Sequence, residues 1–165
     1  MKIYAAYGSN MNISQMKMRC PKANILGTGI IKGYRLTFRG SGRGVANIEE
    51  MKGRTVPIVL WEITRNCEES LDIYEGYPRL YVKKDVEIIS SEDEKIKAFV
   101  YVMTDEYTDS PALPSINYLH IIRQGYMDNG LDTDVLRKAM REITKEINDK
   151  LYGFLNKRSG ENKNG

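Results

Sequence analysis

The first apolar stretch of the chain ends abruptly at a Gly-Ser-Asn tripeptide. Residues 2–7, KIYAAY, are almost continuously apolar after the lysine and predict a buried strand. Asn12 and Gln15 then have the spacing of a capping box, which marks the start of a helix. The pattern therefore predicts a short helix that begins near Ile13 and ends before Pro21.

The middle of the chain alternates between apolar runs and short turns. Strand-like runs cover residues 24–31 and 33–39, and after the glycine-rich turn RGSGRG come VANIEE and VPIVLWEIT. Two later runs, RLYVKKDVEII and KIKAFVYVMT, are joined by the acidic turn SSEDEK. Because successive strands are separated by turns rather than by crossover helices, the sheet is predicted to be mostly antiparallel and the fold class α+β.

A helix is predicted between the two groups of strands, where the sequence NCEES begins. Asn66 is placed as its N-cap, and Cys67, Leu71 and Tyr74 recur on one face. Gly76 has the position of a C-terminal glycine and ends the helix.

The C-terminal third is helical in pattern. One helix is predicted over residues 115–127, and a second begins near Asp132 and repeats its apolar positions at helical spacing. The last segment, NKRSGENKNG, is polar throughout. We therefore predict one domain over residues 1–155 and a disordered polar tail over residues 156–165.

Composition narrows the functional classes. The chain has 165 residues, 41% of them hydrophobic, and no apolar run approaches the roughly 20 residues that span a bilayer. The absence of a signal-peptide pattern and the presence of only two cysteines favour a reduced, cytoplasmic setting without membrane association. A net charge of +3 with interspersed signs gives no field for nucleic acid, although residues 32–43 are basic. The single histidine, His120, excludes histidine-rich metal sites, so no metal is expected. Because it falls within a predicted helix, it is expected to be a partly buried helix residue rather than a catalytic base.

Glu75 has an unusual position for an acidic residue. It falls at the C-terminal end of the second predicted helix, where the helix dipole disfavours negative charge by roughly 0.3–1 kcal/mol. Tyr74, Tyr77 and Tyr81 surround it in sequence. These neighbours predict a raised pKa, as a carboxylate that acts as a general acid–base near neutral pH requires. A solvated surface acid is the alternative.

The Gly-Ser-Asn tripeptide has two interpretations. It is either an ordinary turn or a loop whose free backbone N–H groups bind an anion between a strand and a helix. The Gly-Lys-Ser/Thr of a phosphate-binding loop is missing, so nucleotide binding is not supported. Ser9 has no evident base and lacks a Gly-x-Ser-x-Gly elbow, which argues against a serine nucleophile.

Several segments together resemble the γ-glutamylcyclotransferase family, with its AIG2-like fold. They are YAAYGSNM, GVANI, LWEIT, LDIYEGYPRLY, AFVYVMT and SINYLHIIRQGYMDNGL, in this order over residues 3–131. The Tyr-Gly-Ser-Asn signature and the Leu-Asp-x-x-Glu-Gly stretch carry the resemblance jointly.

The resemblance implies a small, mostly antiparallel β-barrel flanked by helices, with the pocket at one mouth of the barrel. It places the catalytic carboxylate on Glu75. Substrate-binding residues fall on the signature loop and on three tyrosines: Tyr7, Gly8, Ser9, Asn10, Tyr81, Tyr101 and Tyr118. One departure is Ile58, which stands where the family usually has a glycine and is expected to narrow the pocket.

The resemblance also implies the reaction. In a γ-glutamyl amide, the α-amine of the substrate attacks its own γ-carbonyl, forms 5-oxoproline and releases an amine or amino acid. Because the nucleophile is intramolecular, one carboxylate and one loop of free amides suffice, and no cofactor is expected. A sister cyclotransferase for a γ-glutamylamine or γ-glutamylated metabolite, and a non-catalytic binding module of the same fold, remain open. A homodimer is also left open.

Overall fold

Five strands form a closed barrel in the computed structural model, which describes residues 1–161 and the side chains of residues 1–157. Around the barrel the strand order is β1-β3-β2-β4-β5. Four of the five strand pairs are antiparallel, and the β1–β5 pair that closes the barrel is parallel. The predicted α+β class and mostly antiparallel barrel are therefore confirmed. The strands are β1 (Lys2–Ala6), β2 (Asn24–Arg39), β3 (Val45–Ile63), β4 (Tyr81–Ser90) and β5 (Lys95–Met103).

The two longest strands are continuous where separate runs were predicted. Residues 24–31 and 33–39 belong to the single strand β2, whose pairing with β3 shifts register between Lys32 and Tyr34. Gly33 lies at this shift with φ +79°, a conformation that other residues rarely adopt. The glycine thus produces a bulge that bends the β2–β3 ribbon without ending it.

The helices flank the barrel, and two of them carry residues that line the cavity described below. They are α1 (Ile13–Arg19), α2 (Arg65–Glu75), α3 (Asp105–Thr108), α4 (Ile116–Asp128) and α5 (Asp134–Glu161), with a 3-10 helix at Ser9–Met11. The predicted start of α1 is confirmed, because the Asn12 side chain accepts a hydrogen bond from the Gln15 N–H at 3.1 Å.

The N-cap predicted for α2 is wrong by two residues. Thr64 caps this helix with its side chain, which accepts from the Cys67 N–H at 3.3 Å, whereas Asn66 lies inside the first turn. Gly76 ends the helix in the left-handed conformation as predicted, with φ +65°. Glu75 is therefore the last residue of α2.

Helix α4 lies directly against the loop between β1 and α1. A Cβ atom at Gly125 would approach the backbone N of Asn12 to 2.7 Å and Met11 to 2.8 Å, so this contact requires a glycine. Trp61 fixes the same loop from the barrel side, since its Nε1–H donates to the Asn10 carbonyl at 3.0 Å. The loop is held between the barrel and a helix.

Helix α5 is joined to the β2–β3 ribbon by two ion pairs. The guanidinium of Arg39, which is buried, lies 2.7 Å from Glu146, and that of Arg54 lies 2.9 Å from Glu142. The helix continues to Glu161, so residues 156–161 of the predicted polar tail are helical. Residues 162–165 lie outside the described residues. No helix within residues 1–161 is both long and apolar enough to cross a membrane.

Candidate functional site

A cavity of about 190 Å³ opens beside the first turn of the chain after β1. Pockets for drug-sized ligands measure roughly 300–1,000 Å³, so this one suits a smaller molecule. All eight residues predicted for the site line it: Tyr7, Gly8, Ser9, Asn10, Glu75, Tyr81, Tyr101 and Tyr118. Five further residues complete the lining: Tyr4, Val45, Ala46, Tyr74 and Leu80.

Glu75 is the acidic residue of this lining. Burial raises the pKa of its carboxyl to about 7, although the nearby Arg19 guanidinium and a hydrogen bond from Asn10 both act to lower it. The sequence predicted a raised pKa from the helix dipole and the neighbouring tyrosines, and this direction agrees with the value. In the structure the main cause is removal of the carboxylate from water. A carboxyl with this pKa exchanges protons near neutral pH.

Asn10 holds the Glu75 carboxylate from the opposite side of the cavity. Its amide nitrogen donates to Glu75 Oε1 at 2.9 Å and to the Tyr4 hydroxyl at 3.0 Å. Its amide oxygen accepts from Arg19 Nη1 at 2.5 Å, which fixes the orientation of the amide. Residues 65 positions apart in sequence are thus connected by one amide group.

Arg19 is a residue of this network that the sequence analysis missed. It comes from the last turn of α1, and its guanidinium stacks 3.6 Å from the centre of the Tyr74 ring. It also donates to Gln15 Oε1 at 2.7 Å, so the Gln15 side chain is not used for the second half of the predicted capping box. The available signal was weak, because a basic residue in the last turn of a helix is also a common helix-end feature.

The predicted loop presents backbone donors. Met11 and Asn12 donate their N–H groups to Gly8 and Ser9, closing the 3-10 helix. The N–H groups of Ser9 and Asn10 lie at the start of this helix, before its first hydrogen-bonded N–H group. Within residues 1–161 they have no hydrogen-bond acceptor. Free amides at this point are what an oxyanion or carboxylate needs.

Tyr81 and Tyr118 meet at one residue of β3. The Tyr81 hydroxyl donates to the Ala46 carbonyl at 2.6 Å, and the Tyr118 hydroxyl accepts from the Ala46 N–H at 3.2 Å. The Tyr118 hydroxyl can therefore donate a hydrogen bond to a ligand, whereas the Tyr81 hydroxyl can accept a hydrogen bond from one. The two phenols offer opposite hydrogen-bonding functions to a ligand.

Tyr7 and Tyr101 are tied to each other and to α2. The Tyr7 hydroxyl donates to the Tyr101 carbonyl at 2.5 Å, and the Tyr101 hydroxyl donates to Asp72 Oδ1 at 2.6 Å. Asp72 lies three residues before Glu75 and also binds Lys83 at 2.8 Å. These bonds join α2 to the barrel strand β5 and so fix the direction in which Glu75 points.

Two expectations about other residues are wrong. Ile58 is fully buried and does not line the cavity, so it does not narrow the pocket. His120, which the sequence favoured as a partly buried residue, is exposed on α4. Among residues 1–161, no three His, Cys, Asp or Glu side chains are grouped as metal ligands would be.

We expect Gly8→Val to raise KM at least about tenfold, with only a modest loss of stability. A Cβ atom at Gly8 would lie 3.2 Å from Ala46 Cβ and 3.7 Å from the Tyr118 hydroxyl, so the valine methyl groups would crowd the wall of the cavity. Steady-state kinetics and thermal unfolding measure the two effects, with Gly8→Ala as the milder control. A protein that unfolds while its soluble remainder is fully active would show that the loop is a structural turn.

Ionised Glu75 is expected to destabilise the fold. Because its pKa rises from 4.5 to about 7 on folding, the folded state binds more protons between these values, and stability falls as pH increases through this window. The loss is at most about 3 kcal/mol. Glu75→Gln is therefore expected to be more stable than the wild type at pH 8 and to lose this advantage near pH 4, as urea unfolding measures. An equal difference at both pH values would contradict the burial of the charge.

Comparison with known proteins gives a consistent picture. The family model for gamma-glutamyl cyclotransferase, AIG2-like, matches residues 4–120. The gamma-glutamylcyclotransferase of Bos taurus is 30% identical over 145 residues, covering 82% of this chain and 76% of the relative. That of Homo sapiens is 28% identical over 168 residues, covering 94% and 88%. A solved structure of a gamma-glutamyl cyclotransferase superposes with a TM-score of 0.75 at 30% identity, covering 84% of this chain and 85% of that one.

Proposed function

The chain belongs to the gamma-glutamyl cyclotransferase, AIG2-like family of enzymes, and from this we propose that its cavity cyclises a small γ-glutamyl compound to 5-oxoproline. The observation that carries the proposal is Glu75, a half-buried residue that lines the cavity and whose carboxyl has a pKa of about 7. A carboxyl of ordinary pKa would be a weaker base at neutral pH.

The ring closes within the substrate. Glu75 takes a proton from the α-ammonium group, and the freed amine attacks the γ-carbonyl carbon, so that a new C–N bond forms. Glu75 returns its proton to the departing nitrogen as the original amide C–N bond breaks. The attacking nitrogen still carries one proton too many, and this proton passes to the released amine, which leaves as an ammonium group beside 5-oxoproline, whose ring amide is neutral. Because nucleophile and electrophile belong to one molecule, the effective concentration of the amine reaches roughly 10⁵–10⁸ M in favourable geometry.

The developing oxyanion needs donors that are already in place. We assign this role to the free N–H groups of Ser9 and Asn10, whose loop is held by Trp61 and α4. Fixed donors stabilise charge without reorganising at the moment of reaction. Tyr118 has a proton available to bind the substrate, and Tyr81 can accept from its ammonium group.

The same residues give the proposed substrate its orientation. Of the ionisable groups in the lining, Glu75 is the one that carries negative charge at neutral pH and attracts the α-ammonium. The tyrosine hydroxyls supply polar contacts without charge, because burial raises the pKa of Tyr7, Tyr81 and Tyr118. The phenols therefore stay protonated while Glu75 titrates.

The direct test is product analysis. Purified protein is incubated with γ-glutamyl-alanine, and we expect 5-oxoproline and alanine in equal amounts. Glutamate in place of 5-oxoproline would mean that water is the nucleophile and would overturn the proposal. Adding γ-glutamyl amines to the panel shows whether the enzyme acts on γ-glutamyl amino acids or, as a sister cyclotransferase would, on γ-glutamyl amines. Glutathione, whose leaving group is larger, belongs in the panel as well, since Ile58 does not line the cavity and so does not restrict the size of the leaving group.

We expect kcat/KM to rise with pH and to level off above about pH 7. The working base is deprotonated Glu75, whose pKa is about 7, so each pH unit below this value lowers the rate about tenfold. Initial rates with γ-glutamyl-alanine between pH 5 and 9 measure the profile. A midpoint near 4.5, the value of an ordinary glutamate, would show that the charge is not buried in the working enzyme.

The cytoplasmic location predicted from the sequence stays a prediction, and the homodimer that the sequence left open stays open. Light scattering of the purified protein measures the second.

A further inference from the structure

A second cleft adjoins the site cavity and is open to solvent. Its volume is about 700 Å³, and it shares Val45 and Leu80 with the lining of the cavity. The two spaces are therefore neighbours across these side chains. A ligand whose γ-glutamyl group fills the cavity would reach the cleft by passing these two side chains.

The lining of the cleft is cationic. It contains Arg43 and Arg79 and no acidic residue. Within the part of the chain that the structure describes, neither guanidinium has an ion-pair or hydrogen-bond partner. The site cavity has the opposite character, because its lining includes the acidic Glu75 and no lysine or arginine.

Arg43 is carried by a turn that is fixed at both ends. The turn joins β2 to β3, and the N–H groups of Gly40 and Gly44 donate to Ser110 and Leu113, each at 2.9 Å. Gly40 has φ +148°, and a Cβ atom there would lie 2.4 Å from the Arg43 carbonyl oxygen, so the turn is closed tightly on a glycine. The backbone of Arg43 is thus held in place while its side chain faces solvent.

Arg79 is fixed in the same manner on the other side of the cleft. Its N–H donates to the Gly76 carbonyl at 2.9 Å, and its carbonyl accepts from the Thr104 hydroxyl at 2.9 Å. It follows Glu75 by four residues, across the glycine that ends α2. Two cationic side chains on fixed backbone segments therefore lie on the cleft that adjoins the site cavity.

We propose that Arg43 and Arg79 bind a carboxylate of the leaving group and so make γ-glutamyl amino acids better substrates than γ-glutamyl amines that lack this carboxylate. The inference rests on the proposed function. Guanidinium groups match carboxylates in geometry as well as charge. Met103 and Tyr107 line the same cleft and supply apolar surface for the side chain of the released amino acid.

The test compares two substrates that differ only in this carboxylate, γ-glutamyl-alanine and γ-glutamyl-ethylamide. We expect the wild type to prefer the first by about tenfold in kcat/KM, as charge-assisted hydrogen bonds at a partly exposed site allow. In the double variant Arg43→Gln/Arg79→Gln, kcat/KM for γ-glutamyl-alanine should fall to the value for the ethylamide, which should itself stay unchanged. The preference of the wild type should also shrink when salt is raised from 0.05 to 0.5 M.

A matched control is Arg65→Gln, which removes the same charge from an exposed position outside both linings. It should leave the preference intact, and Arg79→Lys, which keeps the charge, should retain part of it. A wild type that turns over both substrates equally, or a double variant that loses both equally, overturns the subsite and leaves the proposed function standing. Formation of 5-oxoproline from neither substrate overturns the proposed function itself, and the subsite with it.

Discussion

Glu75→Gln is expected to lower kcat at least about 10²-fold, the usual scale of general acid–base catalysis. Glutamine keeps the size of the side chain and an oxygen that can accept the hydrogen bond from Asn10. It cannot take the proton of the α-ammonium or return one to the leaving nitrogen. Substrate binding should be retained in part, because the hydroxyls and loop amides of the cavity are unchanged while the charge that attracts the α-ammonium is lost.

Steady-state kinetics with γ-glutamyl-alanine measure the loss, and circular dichroism checks the fold. Glu69→Gln is a matched control, because Glu69 lies on the same helix, is exposed and, among the side chains of residues 1–157, pairs only with Arg65. The control should turn over substrate at the wild-type rate. A well-folded Glu75→Gln protein with near-normal kcat would eliminate Glu75 as the base.

Acetylation of the α-amine of the substrate is expected to abolish turnover completely. The amide nitrogen that results is no longer nucleophilic, so the ring cannot close whatever the leaving group. Acetylation also removes the positive charge that would lie against Glu75, so affinity should fall as well. The expected result is no alanine from N-acetyl-γ-glutamyl-alanine at enzyme concentrations that exhaust the free compound.

The outcome separates two reaction classes. Release of alanine from the blocked substrate would require water as the nucleophile, and the protein would then be an ordinary amidohydrolase. Adding unblocked γ-glutamyl-alanine to the same sample is the control, since 5-oxoproline must then appear if the enzyme is active. The blocked compound is supplied far above the concentration at which the free compound saturates the enzyme, so that weaker binding alone does not hide its turnover.

The local features of the chain were readable from its sequence. Asn12 caps α1, Gly76 ends α2, and the alternating strands form a mostly antiparallel sheet, as predicted. Each of these depends on residues a few positions apart, whose hydrogen-bonding and conformational preferences act within one turn. The cap of α2 was misplaced because Asn66 and Thr64 are both good N-caps, and the sequence alone does not choose between them.

The position of Glu75 at a helix end was also determined by the sequence, but its environment was not. The pKa of about 7 arises from burial among residues that fold in from β1, the 3-10 helix and α4. Removal of a charge from water depends on every neighbour in space, and no short stretch of sequence encodes it. The helix dipole and the tyrosines close to Glu75 in sequence predicted the right direction of the shift, whereas the degree of burial that causes most of it is a property of the tertiary structure.

The resemblance supplied the identities of the predicted site residues, whereas the tertiary structure decided how they are connected. The tertiary structure brings Asn10 into contact with Glu75 and adds Arg19 and Tyr74 to the hydrogen-bonding network. It also shows that Ile58 does not line the cavity. It also places Arg43 and Arg79 on one cleft, although 36 positions separate them in the chain. Sequence determines which elements form because propensities and caps are short-range, while closure of the barrel decides which distant side chains share one low-dielectric space.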